Sequence, residues 1–146
     1  MCSRRGRLNS FFADGMRFQC IEGCVRCCKI PGKVFVGEDE IPRMAEFFGM
    51  TEEEVKSKHL KHFWGDIFEL NYPEDKPCVF LGETGCLIYE ARPTQCRTFP
   101  FWPDSISSPE SWAHVVSLCP GVGNGKLYSP EEMERIADQI RKNPFI

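Results

Sequence analysis

Residues 20–28 read CIEGCVRCC, so four cysteines fall within nine residues. The first eight letters have the spacing C-x3-C-x2-C, with which radical S-adenosylmethionine enzymes hold a [4Fe–4S] cluster. Those enzymes need a series of parallel β/α units, and this chain of 146 residues shows no such series. Arg26 also stands where they usually have an aromatic residue. We therefore exclude that class, and Cys28 makes the stretch one half of a larger cysteine set.

The second half of the set lies far along the chain. Four more cysteines follow after a long stretch that has none, and Cys2 stands apart. Thiolates are the ligands that both Zn²⁺ and iron–sulfur irons prefer, and four of them around one centre suit either. The adjacent side chains of Cys27 and Cys28 tend to diverge, which favours two centres or a polynuclear one. We expect the two halves to share centres, so that metal binding is part of folding.

Composition limits the classes of protein that the chain can belong to. Its length suits one domain, and 18 basic against 21 acidic residues leave a net charge of −3, which does not attract nucleic acid or anionic membranes. Neither a secretory signal nor an apolar run of about 18 residues is present, so we expect a cytoplasmic protein. The cytosol keeps thiols reduced, and nine cysteines therefore favour metal or redox chemistry over disulfides.

The cysteine-free stretch predicts two short helices. Apolar residues recur with helical spacing over 41–48, and Gly49 ends that helix. Thr51 and Glu54 have the spacing of a capping box, which predicts a second helix that continues to Phe63.

The segment CVFLGETGCLIY, residues 78–89, predicts two short strands around a four-residue loop. Such a hairpin places Cys78 and Cys86 at the two bases of one turn. Pro93 suits the first turn of a short helix that carries Cys96.

Near the carboxyl end, Ser129, Pro130 and Glu132 have the types and spacing of an N-cap, a first-turn proline and a capping-box glutamate. They predict a final amphipathic helix. Taken together, the patterns predict an α+β fold: a small single domain of short helices and a β-hairpin, stapled by an all-cysteine metal centre. We expect residues 1–15 to be an amino-terminal extension and residues 16–146 to be the metal-binding domain.

The whole pattern resembles the YkgJ-type cysteine-cluster family, which is described as zinc- or iron-chelating. The residues that carry the resemblance are the C-x3-C-x2-C-C motif, EIPRMAEFFG, CVFL, YEARPTQCRTFPF and CPG, between about Phe18 and Gly125. An extra residue separates the first two cysteines, and Val25 replaces a glycine that is common in the family. The resemblance implies metal ligands at Cys20, Cys24, Cys27, Cys28, Cys78, Cys86, Cys96 and Cys119. Some family members resemble the cysteine-rich part of flagellin lysine methylases.

Two arginines flank Cys96, and we predict that they act on the metal centre from outside its ligand shell. Arg92 and Arg97 could donate hydrogen bonds or charge to anionic thiolates and shift the potential of a cluster. The alternative is that they hold a carboxylate such as Glu90 or pack across an aromatic ring.

We expect the cofactor to be an iron–sulfur cluster, with [4Fe–4S] favoured and zinc as the alternative. The corresponding functions are electron transfer or redox sensing, and a structural zinc module that mediates protein interaction. A third possibility is a metal-dependent accessory or enzyme of protein modification by methyl transfer. No Ser-His-Asp set, phosphate loop or paired-carboxylate cleft can be recognised, so we lean against an enzyme. The expected partners are the metal and a redox or other protein, without nucleic acid or membrane.

Overall fold

The computed structural model describes residues 8–30, 32–143 and 146, so Cys2 lies outside the described residues. In chain order the elements are β1 (Met16–Phe18), β2 (Phe35–Gly37), α1 (Ile41–Phe48), α2 (Glu52–His59), β3 (Leu60–Trp64), β4 (Ile67–Leu70), α3 (Thr94–Thr98), α4 (Pro109–Leu118), β5 (Lys126–Tyr128) and α5 (Pro130–Asp138). Helices hold 39% and strands 15% of the residues, which confirms the predicted α+β class. Within the described residues, every helix is too short or too polar to cross a membrane.

The chain forms two compact units. The central unit is Glu22–Phe99, and the terminal unit combines Met1–Ile21 with Pro100–Ile146. Each unit has its own small antiparallel sheet, and each is described by itself below.

The central unit is built on a three-stranded sheet in which β4 lies between β2 and β3. Val36 pairs with Phe68 on one side, and Leu60 pairs with Leu70 on the other. The buried apolar face packs with α1 and α2 into one core, which contains Val36, Ile41, Met44, Ala45, Val55, Leu60, Leu70, Phe80 and Ile88. Cys78 and Cys86 pack against this core, so two of the predicted metal ligands border it.

The first predicted helix is confirmed, and the second is shorter than predicted. Gly49 ends α1 in the left-handed conformation, with a φ of 64°, and Thr51 starts α2 with a reciprocal capping box. The prediction that this helix continues to Phe63 is wrong, because α2 ends at His59. Leu60 begins strand β3 and is buried opposite Leu70. The chain leaves the helix there because Leu60 pairs with β4.

The predicted hairpin at Cys78 and Cys86 is present only as a tight loop. A single bridge joins Leu81 to Cys86, and the Gly82 N–H donates to the Gly85 carbonyl at 2.8 Å. The two predicted strands are wrong, because the residues on either side form turns instead of a ladder. The Leu87 N–H still donates across the loop to the Phe80 carbonyl at 2.9 Å, whereas the Phe80 N–H donates to the sulfur of Cys78.

The terminal unit pairs β1 with β5 and packs helices around aromatic rings. Phe101 stacks on Trp112 with ring centroids 5.8 Å apart, and Phe12 meets the same ring edge-on. The predicted final helix is confirmed as α5, with the Ser129 hydroxyl accepting from the Glu132 N–H at 3.1 Å. Phe12 is fully buried; the boundary of the extension at residue 15 stays a prediction.

Candidate metal centre

Five of the predicted ligands gather in the central unit from three separate segments. Cys27 and Cys28 lie in a short 3-10 helix, Arg26–Lys29, and Cys96 lies in α3. Cys78 and Cys86 lie on the loop closed by the bridge at Leu81. The Cys78 N–H donates to the Cys28 carbonyl at 2.8 Å, which joins the amino-terminal motif to the loop. All five are free thiols.

The loop holds its two sulfurs by the same local arrangement. The N–H of Phe80 donates to the sulfur of Cys78, and the N–H of Ile88 donates to the sulfur of Cys86. In each case the donor lies two residues after the cysteine, and its side chain is buried in the central core. The core side chains thus fix the backbone donors that stabilise sulfur as an anion.

The adjacent thiols Cys27 and Cys28 differ strongly in acidity. A hydrogen bond from the Cys28 thiol lowers the pKa of Cys27 to about 6, with further help from backbone N–H groups and the charge of Arg92. The same hydrogen bond raises the pKa of Cys28, as do burial and the neighbouring thiols Cys27, Cys78 and Cys86. One of the pair is therefore ready to be a thiolate, which is the form that binds metal.

The other three thiols resist ionisation as long as no cation is present. Burial, followed by the proximity of Cys78, Cys27 and Cys86, raises the pKa of Cys96 to about 12. Burial also raises the pKa of Cys78 and of Cys86, against the backbone N–H bonds to their sulfurs. These mutual effects show that the thiols share one electrostatic environment, in which each added thiolate makes the next one harder to form.

Helix α3 is fixed beneath Cys96 by side chains that sequence analysis did not single out. Gln95 accepts the Phe35 N–H at 2.8 Å and donates to the Lys33 carbonyl at 3.1 Å. Glu40 accepts the Gly37 N–H at 2.7 Å and also the Thr94 N–H at the start of the helix. The hydrogen bonds from Phe35 to Gln95 and from Thr94 to Glu40 each join residues more than fifty positions apart. No local sequence pattern could have indicated them.

Tyr72 is a second residue at the site that sequence analysis missed. Burial, followed by the nearby Cys78, Cys96 and Cys28, raises its pKa to about 12. Its hydroxyl donates to the Gly32 carbonyl at 3.3 Å, so the ring is tied at the edge of the thiol group.

The two arginines that flank Cys96 have different surroundings. The charge of Arg92 lowers the pKa of Cys27, Cys86 and Cys96, although other causes dominate at each thiol. Its guanidinium lies 3.8 Å from the centre of the Tyr89 ring. Arg97 is exposed and donates to the Arg92 carbonyl at 3.3 Å. Arg92 therefore interacts with thiols and also packs on an aromatic ring, the two alternatives that the sequence analysis considered. A role of Arg92 or Arg97 in setting the potential of a cluster stays a prediction.

The remaining three predicted ligands lie in different places. Cys24 belongs to the central unit, and Cys20 and Cys119 belong to the terminal unit. Within the terminal unit the Gln19 N–H donates to the Gly121 carbonyl at 3.1 Å, so the segments that carry Cys20 and Cys119 run beside each other. Ligation by these three cysteines stays a prediction.

The five interacting thiols, Cys27, Cys28, Cys78, Cys86 and Cys96, fit a metal by the chemistry of the donor set. They offer only sulfur, with one acidic thiol, backbone donors on two sulfurs and a nearby arginine. Among the described residues, no three His, Cys, Asp or Glu side chains already converge at coordinating geometry. The fit therefore rests on donor type and shared electrostatics, and binding would draw the sulfurs together.

Comparison with known families agrees with this donor set. The model of the CxxCxxCC family, described as "Putative zinc- or iron-chelating domain", matches residues 19–120. The chain belongs to this family. Its match covers every cysteine of the predicted set, and it supports metal as the ligand of this CxxCxxCC protein. No solved structure matches the chain.

Proposed function

We propose that this protein holds an iron–sulfur cluster, with [4Fe–4S] favoured, and that it acts in electron transfer or redox sensing. The observation that carries the proposal is the group of five interacting thiols, Cys27, Cys28, Cys78, Cys86 and Cys96. Five thiols exceed what one tetrahedral zinc site takes, and adjacent Cys27 and Cys28 suit separate irons better than one ion. Membership of a zinc- or iron-chelating family supports the metal itself.

The residues around the thiols support a redox role. When bound, such a cluster supplies reversible one-electron transfer at a potential set by its surroundings. The N–H groups of Phe80 and Ile88 would stabilise negative charge on two sulfurs, and Arg92 would stabilise it through its own charge. Hydrogen bonds to sulfur and nearby charge are the features that tune such potentials.

A structural zinc module that binds another protein is the second candidate. Val79, Leu87 and Tyr89 are large side chains that stay at least 48% exposed beside Cys78 and Cys86. Exposed apolar side chains next to a rigid metal loop would suit a protein partner. Under this alternative, four of the thiols would close a zinc site and leave the loop as the interaction surface.

Metal analysis separates the two candidates. The full chain should be purified without oxygen, its visible spectrum recorded, and its iron, sulfide and zinc counted per chain. We expect a coloured protein with iron and sulfide, and we expect Cys78→Ser and Cys96→Ser each to remove most of the visible absorption. Cys2→Ser is the control and should leave the spectrum unchanged. A colourless protein with stoichiometric zinc refutes the redox proposal, and full colour in both core variants refutes the ligand set.

A further inference from the structure

Three arginines of the central unit gather around one backbone carbonyl. Arg43, on α1, donates from Nη2 to the Arg92 carbonyl at 2.7 Å, and Arg97 donates from Nε to the same oxygen at 3.3 Å. The side chain of Arg92 stays close to its own backbone, since its Nε donates to the Tyr89 carbonyl at 3.0 Å. Two guanidinium groups therefore share one acceptor, and the third belongs to the residue that supplies it.

The positive charge of this arginine cluster, Arg43, Arg92 and Arg97, is poorly balanced. Arg43 and Arg97 donate to the same carbonyl oxygen, so their two charges lie close together, and Glu40 is a carboxylate that acts on Arg97. Both Glu40 oxygens already accept backbone N–H groups. Among the described residues, none of the three arginines forms an ion pair with a carboxylate within 4.0 Å. The carboxylate that acts on Arg97 is therefore already engaged by backbone donors.

The arginine cluster also has donors to spare. The described hydrogen bonds use one donor of Arg43, one of Arg92 and two of Arg97, whereas each guanidinium carries five N–H donors. The Nε of Arg43 is buried without a hydrogen-bond partner. Arg97 is exposed, so that its remaining donors are accessible to a ligand from solvent.

Neutralisation of the metal centre accounts for only one of these arginines. Arg92 interacts electrostatically with Cys27, Cys86 and Cys96. The electrostatic partners of Arg97 are Arg43, Glu40 and Arg92, and no thiol is among them. Arg97 therefore lies near two like charges, Arg43 and Arg92, and one carboxylate, Glu40.

We infer that Arg43, Arg92 and Arg97 form a binding site for a divalent tetrahedral oxyanion of the phosphate or sulfate class. Such an anion offers several acceptors to a planar, forked donor and balances the excess of positive charge around Arg97. The anion could be a free ion or the phosphate group of a larger molecule. The inference does not depend on which metal the thiols hold.

Titration calorimetry on the full, metal-loaded chain tests the site, with ionic strength held constant by chloride. Sulfate, inorganic phosphate and phosphoserine are the three probes. We expect one anion to bind per chain, and Arg97→Gln to weaken binding about tenfold or more, as the loss of a charge-assisted bond implies. Arg97→Lys keeps the charge without the fork and should fall between wild type and Arg97→Gln. Arg135→Gln, an exposed arginine of the terminal unit, is the matched control and should bind as wild type.

The outcomes separate the site from the metal function. Similar binding of all three probes supports a site for the free ion, and binding of phosphoserine alone supports a phosphorylated ligand. If no probe binds above the chloride background, or if Arg97→Gln binds as well as wild type, the inference is overturned. Metal content and the visible spectrum, measured on the same samples, report folding and the metal centre independently.

Discussion

Glu40 provides a sharp test of how the central unit holds Cys96 in place. Its carboxylate accepts the N–H of Gly37 at 2.7 Å and the N–H of Thr94, which begins the helix that carries Cys96. The substitution Glu40→Ala leaves both backbone donors without this acceptor in a half-buried setting. The start of α3 then loses its tie to the segment that precedes α1.

The expected magnitude follows from these two bonds. A hydrogen bond to a charged group contributes about 1.5–3 kcal/mol, and partial solvent access lets water replace some of that. We therefore expect Glu40→Ala to lower the free energy of unfolding by about 2–4 kcal/mol, and Glu40→Gln, which keeps one acceptor oxygen, by about 1–2 kcal/mol. Since α3 carries Cys96, the metal should also pass to an excess of chelator faster in Glu40→Ala than in wild type.

The assay is urea unfolding of metal-loaded samples at equal metal occupancy, together with the rate of metal release to a chelator. Glu38→Ala is the matched control, because Glu38 lies in the same short helix and pairs at 2.6 Å with Lys56 at the surface. That surface pair should be worth no more than about 1 kcal/mol. If Glu40→Ala unfolds within about 0.5 kcal/mol of wild type, or if Glu38→Ala has the larger effect, the reasoning about Glu40 is wrong.

Two further predictions concern pH and potential. Burial lowers the pKa of His59, which stacks on Phe48 at 4.5 Å, so the unfolded chain binds this proton more readily and stability should fall as pH drops below about 6.5. Thermal unfolding across that pH range should show a weaker pH dependence of stability for His59→Phe than for wild type. The exposed control His62→Gln should keep the wild-type dependence. An equal pH dependence in His59→Phe, or an equally weakened one in His62→Gln, would contradict this. If the centre is iron–sulfur, Arg92→Gln should lower its midpoint potential in protein-film voltammetry, because the positive charge favours the more negative reduced state. An unchanged or raised potential, or an equal shift in the control Arg135→Gln, would count against that role of Arg92.

Local signals in the sequence were sufficient for three elements. The glycine stop after Phe48, the capping box at Thr51 and the Ser129-Pro130 start each act within one or two turns of helix, and each is confirmed. The helix that carries Cys96 is also confirmed as α3. Such signals are short-range hydrogen bonds and steric limits, so they can be recognised without knowledge of the tertiary structure.

Long-range pairing decided the elements that the sequence did not predict. Leu60 leaves its helix because Leu70 pairs with it in the central sheet. At the metal centre the cysteine spacing predicted donor chemistry, whereas Glu40, Gln95 and the Arg43 contact depend on residues far apart in the chain.

The hydrogen bond from Cys78 to the Cys28 carbonyl has a consequence for synthesis in the cell. Translation proceeds at about 5–20 residues per second, so Cys27 and Cys28 leave the ribosome roughly 3–14 s before Cys96 does. Until Cys78 is synthesised, Cys27 and Cys28 have none of their later partners from the loop or from α3, and their thiols are open to oxidants. We expect productive metal delivery to follow synthesis of Cys96, and a nascent chain stalled before that residue to be the form most vulnerable to oxidation.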